Sequence, residues 1–323
     1  VLAKLKLRAR TLKPFWFVHN LLHWRTLRRN KPLYEQQGVR KSVFGAISHR
    51  DFPSDGQDVP WLDRANGDRP AADGDGELPS ELAELIPGWV ENGFIVLKGH
   101  FEPDLIDAAV EDVDRQLADG TMKPHFRGQQ VVRDSFMGSE PIRRILTDPA
   151  VGRLLNYVFG RPARLFQTID FFAGSQQPLH SDAFHMTTQP PGYLTGGWVA
   201  LEDVAADAGP VYYLPGSHKL PYVMSEDLGL TGSALSIPLK DDAYSRRVAQ
   251  LADEAGLEPV EFLARKGDML IWHHNLLHGG RPVERGGSTR RSLVAHYFAD
   301  DVICYHEVTE RPAILESSVP LPA

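Results

Sequence analysis

The sequence predicts a mainly β protein, a double-stranded β-helix or cupin-like jelly roll flanked by helices. Three observations lead there. From Leu165 to Phe298, short apolar runs alternate with Gly, Pro and Asp, the punctuation of a closed all-β fold. Upstream, Leu105, Ile106, Ala109, Val110, Val113 and Leu117 recur at helical spacing, so a helix opened by Pro103 should lie on the outside of a sheet. With 42% hydrophobic residues, the 323-residue chain can bury the core of one substantial domain plus an extension.

Residues 1–51 read as a basic, aromatic N-terminal arm. Residues 1–41 hold eleven Lys and Arg against one acid, Glu35, although the whole chain carries a net charge of −7. Phe15, Trp16, Phe17, Val18, Leu21, Leu22, Trp24 and Leu27 sit among Arg25, Arg28 and Arg29. Two readings stand: an arm that lies on an anionic membrane or grips an anionic substrate, or a basic helix packed on the protein's own acidic domain. Nucleic-acid binding is disfavoured, because the main domain is acidic and carries no recognition motif. Residues 52–79, rich in Pro, Gly and Asp, read as an acidic linker or long loop.

The main domain is expected over residues 80–305. Ser80 can cap a short helix through Leu85, and residues 143–159 read as a helix interrupted at Pro149. Arg164–Phe172 reads as a strand and residues 174–178 as a loop, followed by His180. Residues 225–261 form a polar insert, either a lid over the barrel mouth or an exposed helical decoration. After a turn at Gly267 and Asp268, Met269–Trp272 is a short apolar strand that leads to His278 and a glycine loop. In the strand from Arg290 to Phe298, alternation puts Arg290, Ser292, Val294 and His296 on one face. Residues 306–323 read as a C-terminal tail.

A single cysteine, Cys304, excludes an internal disulfide framework and a zinc-thiolate site. No stretch approaches the roughly 18 consecutive apolar residues of a membrane span. Together these suit a cytoplasmic enzyme, with peripheral membrane contact through the arm under the first reading above. The chain begins at Val1, not at a methionine, which leaves residues upstream of it open.

The chemistry concentrates at His180-Ser181-Asp182 and His278. An H-x-D pair sets an imidazole and a carboxylate on one side of a strand exit, and a distant histidine can complete a facial triad on Fe(II) with neighbouring positions left open for O2. Two of those would take the 2-oxo acid end of 2-oxoglutarate, whose far carboxylate needs a cation. Arg290 with Ser292 offers a bidentate fork and a hydroxyl to that group. Gln167 and Thr168 are further candidates for 2-oxoglutarate, since one of them must face the barrel interior. His185 is too close to Asp182 in sequence to be a third ligand and is a candidate for substrate contact, as are Arg133 and His296. His218 reads as organising a turn, and one of His273 and His274 should face the core.

At these residues the chain resembles the phytanoyl-CoA dioxygenase family of Fe(II)/2-oxoglutarate oxygenases. Glu91–Leu97 is similar to that family's opening strand, and Gly197–Asp203, Gly209-Pro210 and Leu214–Lys219 to its central hairpin. The resemblance covers about Ile86 to Ala299. It implies that His180, Asp182 and His278 are the metal ligands and Arg290 the carboxylate-binding arginine. The interval from His278 to the arginine is one residue longer than the family pattern, which leaves Arg291 as a rival; the face shared with Ser292 favours Arg290. The implied reaction hydroxylates an unactivated C–H bond of a small-molecule, lipid or glycan-precursor substrate and releases succinate and CO2. Asp182 occupies the position that halogenating members leave to chloride, so hydroxylation is favoured; desaturation, epoxidation and cyclisation use the same triad. The alternatives are a cupin-type metalloenzyme that does not use 2-oxoglutarate, and a non-catalytic ligand-binding jelly roll.

Overall fold

A computed structural model describes residues 13–52, 59–64, 78–126, 130–229, 237–315 and 317–322, leaving aside the side chains of 13–16 and 237–242. Residues 1–12 of the arm, 53–58 and 65–77 of the expected linker, and 230–236 of the insert therefore lie outside the described residues.

Helices α1 (Lys13–Leu22), α2 (Trp24–Leu27) and α3 (Lys31–Gln36) come first, then α4 (Ser80–Ala83) and α5 (Ile86–Asn92). Gly93 ends α5 at φ +81, a left-handed conformation, and any side chain there would collide with the His218 ring. The run Glu91–Leu97 expected as one strand is therefore split, and β1 is Phe94–Leu97 alone. Helix α6 (Pro103–Ala118) buries Ile106, Ala109 and Val113, with Leu105, Val110 and Leu117 packed alongside. The helix expected over residues 143–159 is two, α7 (Glu140–Leu146) and α8 (Pro149–Phe159). Asp148 caps α8 by accepting the Ala150 and Val151 N–H groups at 2.9 and 3.1 Å, and Pro149 is suited to the position where a helix has no use for its own N–H.

The remaining elements are β2 (His125–Phe126), β3 (Gln130–Arg133), β4 (Ala163–Phe171), β5 (Thr187–Gln189), β6 (Leu194–Ala200), β7 (Val211–Tyr213), α9 (Ile237–Glu254), β8 (Val260–Phe262), β9 (Met269–His273), β10 (His278–Gly280), β11 (Ser292–Ala299), β12 (Ile303–His306), β13 (Arg311–Pro312) and β14 (Val319–Pro320). An eight-stranded antiparallel sheet runs β1-β9-β6-β11-β4-β3-β2, with β14 added beside β4. Smaller sheets run β10-β7-β8 and β13-β12-β5.

Alternation divides the large sheet into two jobs. Met269, Ile271, Val199, Leu293, Ala295 and Tyr297 face the helices α6, α7 and α8 and form the main core with them. Their neighbours Leu270, Trp272, Trp198, Ala200 and Val294 face the other way, against Val211, Tyr213 and Phe262 of the small sheet. This is the jelly-roll arrangement, with its interior between the two sheets.

Among the described residues, the segments toward both ends of the chain pack on this body. Tyr34, Val39, Ile47 and Phe52 bury against Ile303 and Tyr305 of β12, and Leu27 is fully buried, while Phe17, Val18, Leu21, Leu22 and Trp24 stay exposed. Within the expected linker, Trp61 is buried and donates its indole N–H to the Tyr157 carbonyl at 2.7 Å. Beyond β12 the chain pairs again as β13 and β14 instead of trailing away.

One contact joins three distant segments. His49 Nδ1 lies 2.9 Å from Glu307 Oε1 and its Nε2 lies 3.1 Å from Glu226 Oε2, while the Ser225 N–H also reaches Glu307 at 3.3 Å. Glu307 is only 1% exposed, so His49 is its compensation for burial. The hydrogen bond to Glu307 raises the His49 imidazole above its usual value against the opposing effect of burial, and the Glu226 carboxylate adds to the rise. Burial works to raise the Glu307 carboxyl, but its bonds to His49 and Ser225 hold it below the usual range.

A histidine raised on folding stabilises fully below its unfolded value of about 6.5 and loses that contribution as pH climbs through the raised one. A carboxyl lowered on folding stabilises above its unfolded value of about 4.3 and loses it as pH falls through the lowered one. The pair is therefore strongest from about pH 4.5 to 6.5. Urea unfolding should show His49→Ala costing on the order of 1 kcal/mol more at pH 6 than at pH 8.5. An equal loss at both would show that the contact is not ionic.

Candidate active site

His180 follows the loop out of β4, and His278 opens β10. Their backbones form an isolated antiparallel bridge, each N–H donating to the other's carbonyl at 2.9 and 2.8 Å. His180 Nδ1 lies 2.8 Å from the Pro178 carbonyl, and His278 Nδ1 lies 3.0 Å from that of Leu276. A carbonyl only accepts, so each Nδ1 carries a proton, which leaves Nε2 as the ring nitrogen available to ligate. Asp182 enters from the next turn, its Oδ1 3.8 Å from His278 Nε2. One ligand atom from each of the three residues lies within 4.8 Å of the others, a spacing that a single metal ion can bridge. The other carboxylate oxygen, Oδ2, accepts the Trp272 indole N–H at 2.8 Å, with His296 Nε2 at 3.7 Å.

The electrostatics suit a cation. Burial, then the neighbouring His278, push the His180 imidazole down to about 4, so it is neutral at pH 7, the form in which an imidazole ligates. Burial would raise the Asp182 carboxyl, but the facing His278 and His296 outweigh it and hold the group well below the usual carboxylate range.

These residues border a cavity of about 460 Å³. Strand register decides which side chains enter it: His296 stands opposite Gln167, Val294 opposite Ile169 and Ser292 opposite Phe171. Gln167, Ile169, Phe171, Val294 and His296 line the cavity. Thr168, a candidate for 2-oxoglutarate, faces the other side of the sheet, where its hydroxyl lies 3.4 Å from Ser135 Oγ. Alternation along β4 allows only one of two adjacent residues inward, and it is Gln167.

Arg290 lines the cavity and is 1% exposed, yet its Nε and Nη1 are buried without a hydrogen-bond partner. Its guanidinium lies 5.5 Å from the Trp198 ring and 6.0 Å from the Phe171 ring, and burial pulls its pKa down to about 10. Ser292 Oγ on the same face is also buried and unpartnered. Arg291 points the opposite way and makes a bidentate pair with Asp114 of α6, both bonds 2.7 Å. A buried cation with open donors costs stability unless an anion joins it, so this side chain fits the distal carboxylate of 2-oxoglutarate.

Arg133, opposite Ile169 on β3, and His185, on the turn after Asp182, also line the cavity. His218, His273 and His274 lie apart from it. His273 is held by Asp63 at 3.2 Å and stacks edge-on against Trp89, and His274 is fully buried beside Tyr222.

Sequence reasoning passed over three features. Trp272 belongs to an apolar strand, and nothing local in the sequence shows that its indole reaches Asp182. His306, Val308 and Thr309, from the expected tail, line the cavity. Tyr244 of α9 stacks on Phe184, and its hydroxyl accepts the Ser181 N–H at 3.0 Å and bonds Ser181 Oγ at 2.7 Å. Among the described residues, the insert packs behind the H-x-D turn and contributes nothing to the cavity lining.

Comparison with known proteins adds the relationship. The sequence model of the phytanoyl-CoA dioxygenase (PhyH) family matches residues 89–292, more than half of the chain. Peroxisomal phytanoyl-CoA dioxygenase of Rattus norvegicus is 22% identical over 238 residues, covering 66% of this chain and 67% of that protein. The Mus musculus enzyme is 26% identical over 132 residues, 40% of this chain and 36% of that protein. Among solved structures, EctD from S. alaskensis with 2-oxoglutarate and 5-hydroxyectoine superposes at a TM-score of 0.57 with 18% identity, covering 86% of this chain and 95% of that one. The epimerase SnoN from nogalamycin biosynthesis, in complex with Fe3+, alpha ketoglutarate and nogalamycin RO, superposes at 0.53 with 24% identity, covering 72% of this chain and 88% of that one. These structural likenesses establish the fold.

Replacing Tyr244 by Phe keeps the stacked ring and removes the acceptor of a buried N–H. The expected cost is about 1–3 kcal/mol, measured by chemical denaturation. A loss below a few tenths would mean that Ser181 does not depend on the insert.

Proposed function

The chain belongs to the phytanoyl-CoA dioxygenase family, non-haem iron enzymes that use 2-oxoglutarate and O2, and we propose that it hydroxylates an unactivated C–H bond of a small molecule. In this reading His180, Asp182 and His278 hold the iron, through the Nε2 atom of each histidine and one carboxylate oxygen. Arg290 takes the distal carboxylate of 2-oxoglutarate, with Ser292 as a second donor on its face and Gln167 beside it in the cavity. Bound iron and 2-oxoglutarate supply the oxidising chemistry: O2 is consumed, succinate and CO2 leave, and a C–H bond becomes C–OH.

The observation that carries the reading is Arg290. A guanidinium buried to 1% with two open nitrogens, in the same cavity as the triad, has no purpose in a metalloenzyme that acts on its substrate without a dicarboxylate. Asp182 supports hydroxylation over halogenation, because it fills the position a halide would need. The substrate would pack against Arg133, His185 and His306, and Asp182 is the only acid in the lining among the described residues, which favours a polar or anionic molecule.

Succinate formation at varied 2-oxoglutarate tests this. Arg290→Ala should raise the Michaelis constant for 2-oxoglutarate by roughly 10- to 100-fold, the loss of a charge-assisted bidentate contact. Arg291→Ala should change it less than about threefold and lower the melting temperature instead, through loss of the Asp114 pair. The reverse pattern would sink the assignment.

We also propose that the outer face of the arm contacts an anionic membrane or an anionic substrate. Phe17, Val18, Leu21, Leu22 and Trp24 are exposed next to exposed Arg25, Arg28 and Arg29, the composition of an interfacial helix. Among the described residues no helix is long and apolar enough to cross a membrane, so the contact would be peripheral. Leu22→Glu with Trp24→Glu should abolish co-sedimentation with vesicles containing phosphatidylserine, and salt should weaken the unsubstituted protein likewise. Unchanged sedimentation in both would remove the membrane from the reading.

A further inference from the structure

The two oxygens of Asp182 have different surroundings. Oδ1 faces His278 Nε2 at 3.8 Å, while Oδ2 accepts the Trp272 indole N–H at 2.8 Å. His296, the other donor near Oδ2, is 3.7 Å away and outside hydrogen-bond range. Trp272 is 3% exposed, and its ring lies 4.8 Å from that of His278, so the same side chain braces two residues of the triad.

The fold makes room for this ring at one position. Trp272 on β9 stands opposite Gly196 on β6 and opposite Phe94 on β1. A Cβ built on Gly196 would fall inside the indole, against its Cε2, Cζ2 and Nε1 atoms. The indole therefore lies across the bare backbone of Gly196, which sets the direction of its N–H. Any larger residue at 196 would push the ring off that line.

We propose that Trp272, seated on Gly196, is a positioning residue that makes Asp182 a one-oxygen ligand. With Oδ2 engaged by the indole, only Oδ1 turns toward the space between His180 and His278, and the carboxylate cannot swing to give both oxygens to one ion. That would keep open a position which a bidentate carboxylate would close. The inference rests on the reading of His180, Asp182 and His278 as the metal site.

Cobalt(II) is the probe, since its visible absorption reports coordination number and its affinity can be titrated without turnover. Trp272→Phe keeps an aromatic ring and removes the N–H; Gly196→Ala keeps the N–H and displaces it. Both should weaken cobalt(II) binding about 10-fold or more, the usual effect of removing a partner of a metal ligand, and both should shift the absorption toward higher coordination. Should one variant fail to fold, judged by its melting curve, the other still decides. Unsubstituted protein that binds cobalt(II), with His180→Ala abolishing binding, alongside variants of unchanged affinity and spectrum, would overturn the role of Trp272 and leave the triad standing. Unsubstituted protein that binds no cobalt(II), or binds it equally after His180→Ala, would overturn both.

Discussion

The backbone bridge between His180 and His278 is the constraint on which the site depends. It lies at the seam of the jelly roll, where the exit of β4 in the large sheet meets β10 of the small one. Two reciprocal hydrogen bonds fix both residues at once, so the imidazoles cannot drift apart unless the sheets do. Each contributes only about 1 kcal/mol net, but the position is determined several times over. Local carbonyls hold both Nδ1 atoms, Tyr244 holds the Ser181 between His180 and Asp182, and Trp272 holds Asp182 from the facing strand. A metal site supported in this way is set by the sheet, which is stiffer than the loop that His180 leaves.

The same sheet serves as core and as cavity wall, and alternation keeps the two apart. Along β11, Leu293, Ala295 and Tyr297 bury against the helices while Val294 and His296 face inward. The same rule sends Arg290 into the cavity and Arg291 out to Asp114. Burying Arg290 works against stability, because its donors have left water without a full set of partners. The Trp198 and Phe171 rings beside it offset part of that through their negative faces. In the proposed reading, what remains is a site that would gain by admitting a carboxylate, so the cost of holding the cation ready would become affinity for 2-oxoglutarate.

Legibility in the sequence followed the range of each interaction. The helix stripe of α6, the β-rich run and the inward face of β11 were readable because their periods are local. The H-x-D spacing was readable because it sits within one turn. Gly93 divided an expected strand because its left-handed conformation and its contact with His218 depend on where α5 must stop. Thr168 and Gln167 could not be separated from sequence, since the face that β4 turns inward is set by its register with β11. Trp272 on Asp182 and Tyr244 on Ser181 were invisible, for each joins segments whose neighbourhood exists only after the sheets close.

The N-terminal arm illustrates the limit of reading by segment. Its composition suggested two uses, contact with something anionic or packing on the domain, and these seemed to compete. The structure distributes residues between two faces instead: Tyr34 and Val39 are buried beside β12, whereas Phe17, Leu21, Leu22 and Trp24 face outward. The inner residues touch Tyr305, next to His306 in the cavity wall, and His49 further on grips Glu307 in the same stretch. Cutting the chain at residue 41 would therefore disturb the wall of the cavity together with any outer contact. The inner packing and the proposed outer contact fall on different residues, so substitutions on the exposed face alone can test the outer contact without disturbing what the arm supports within.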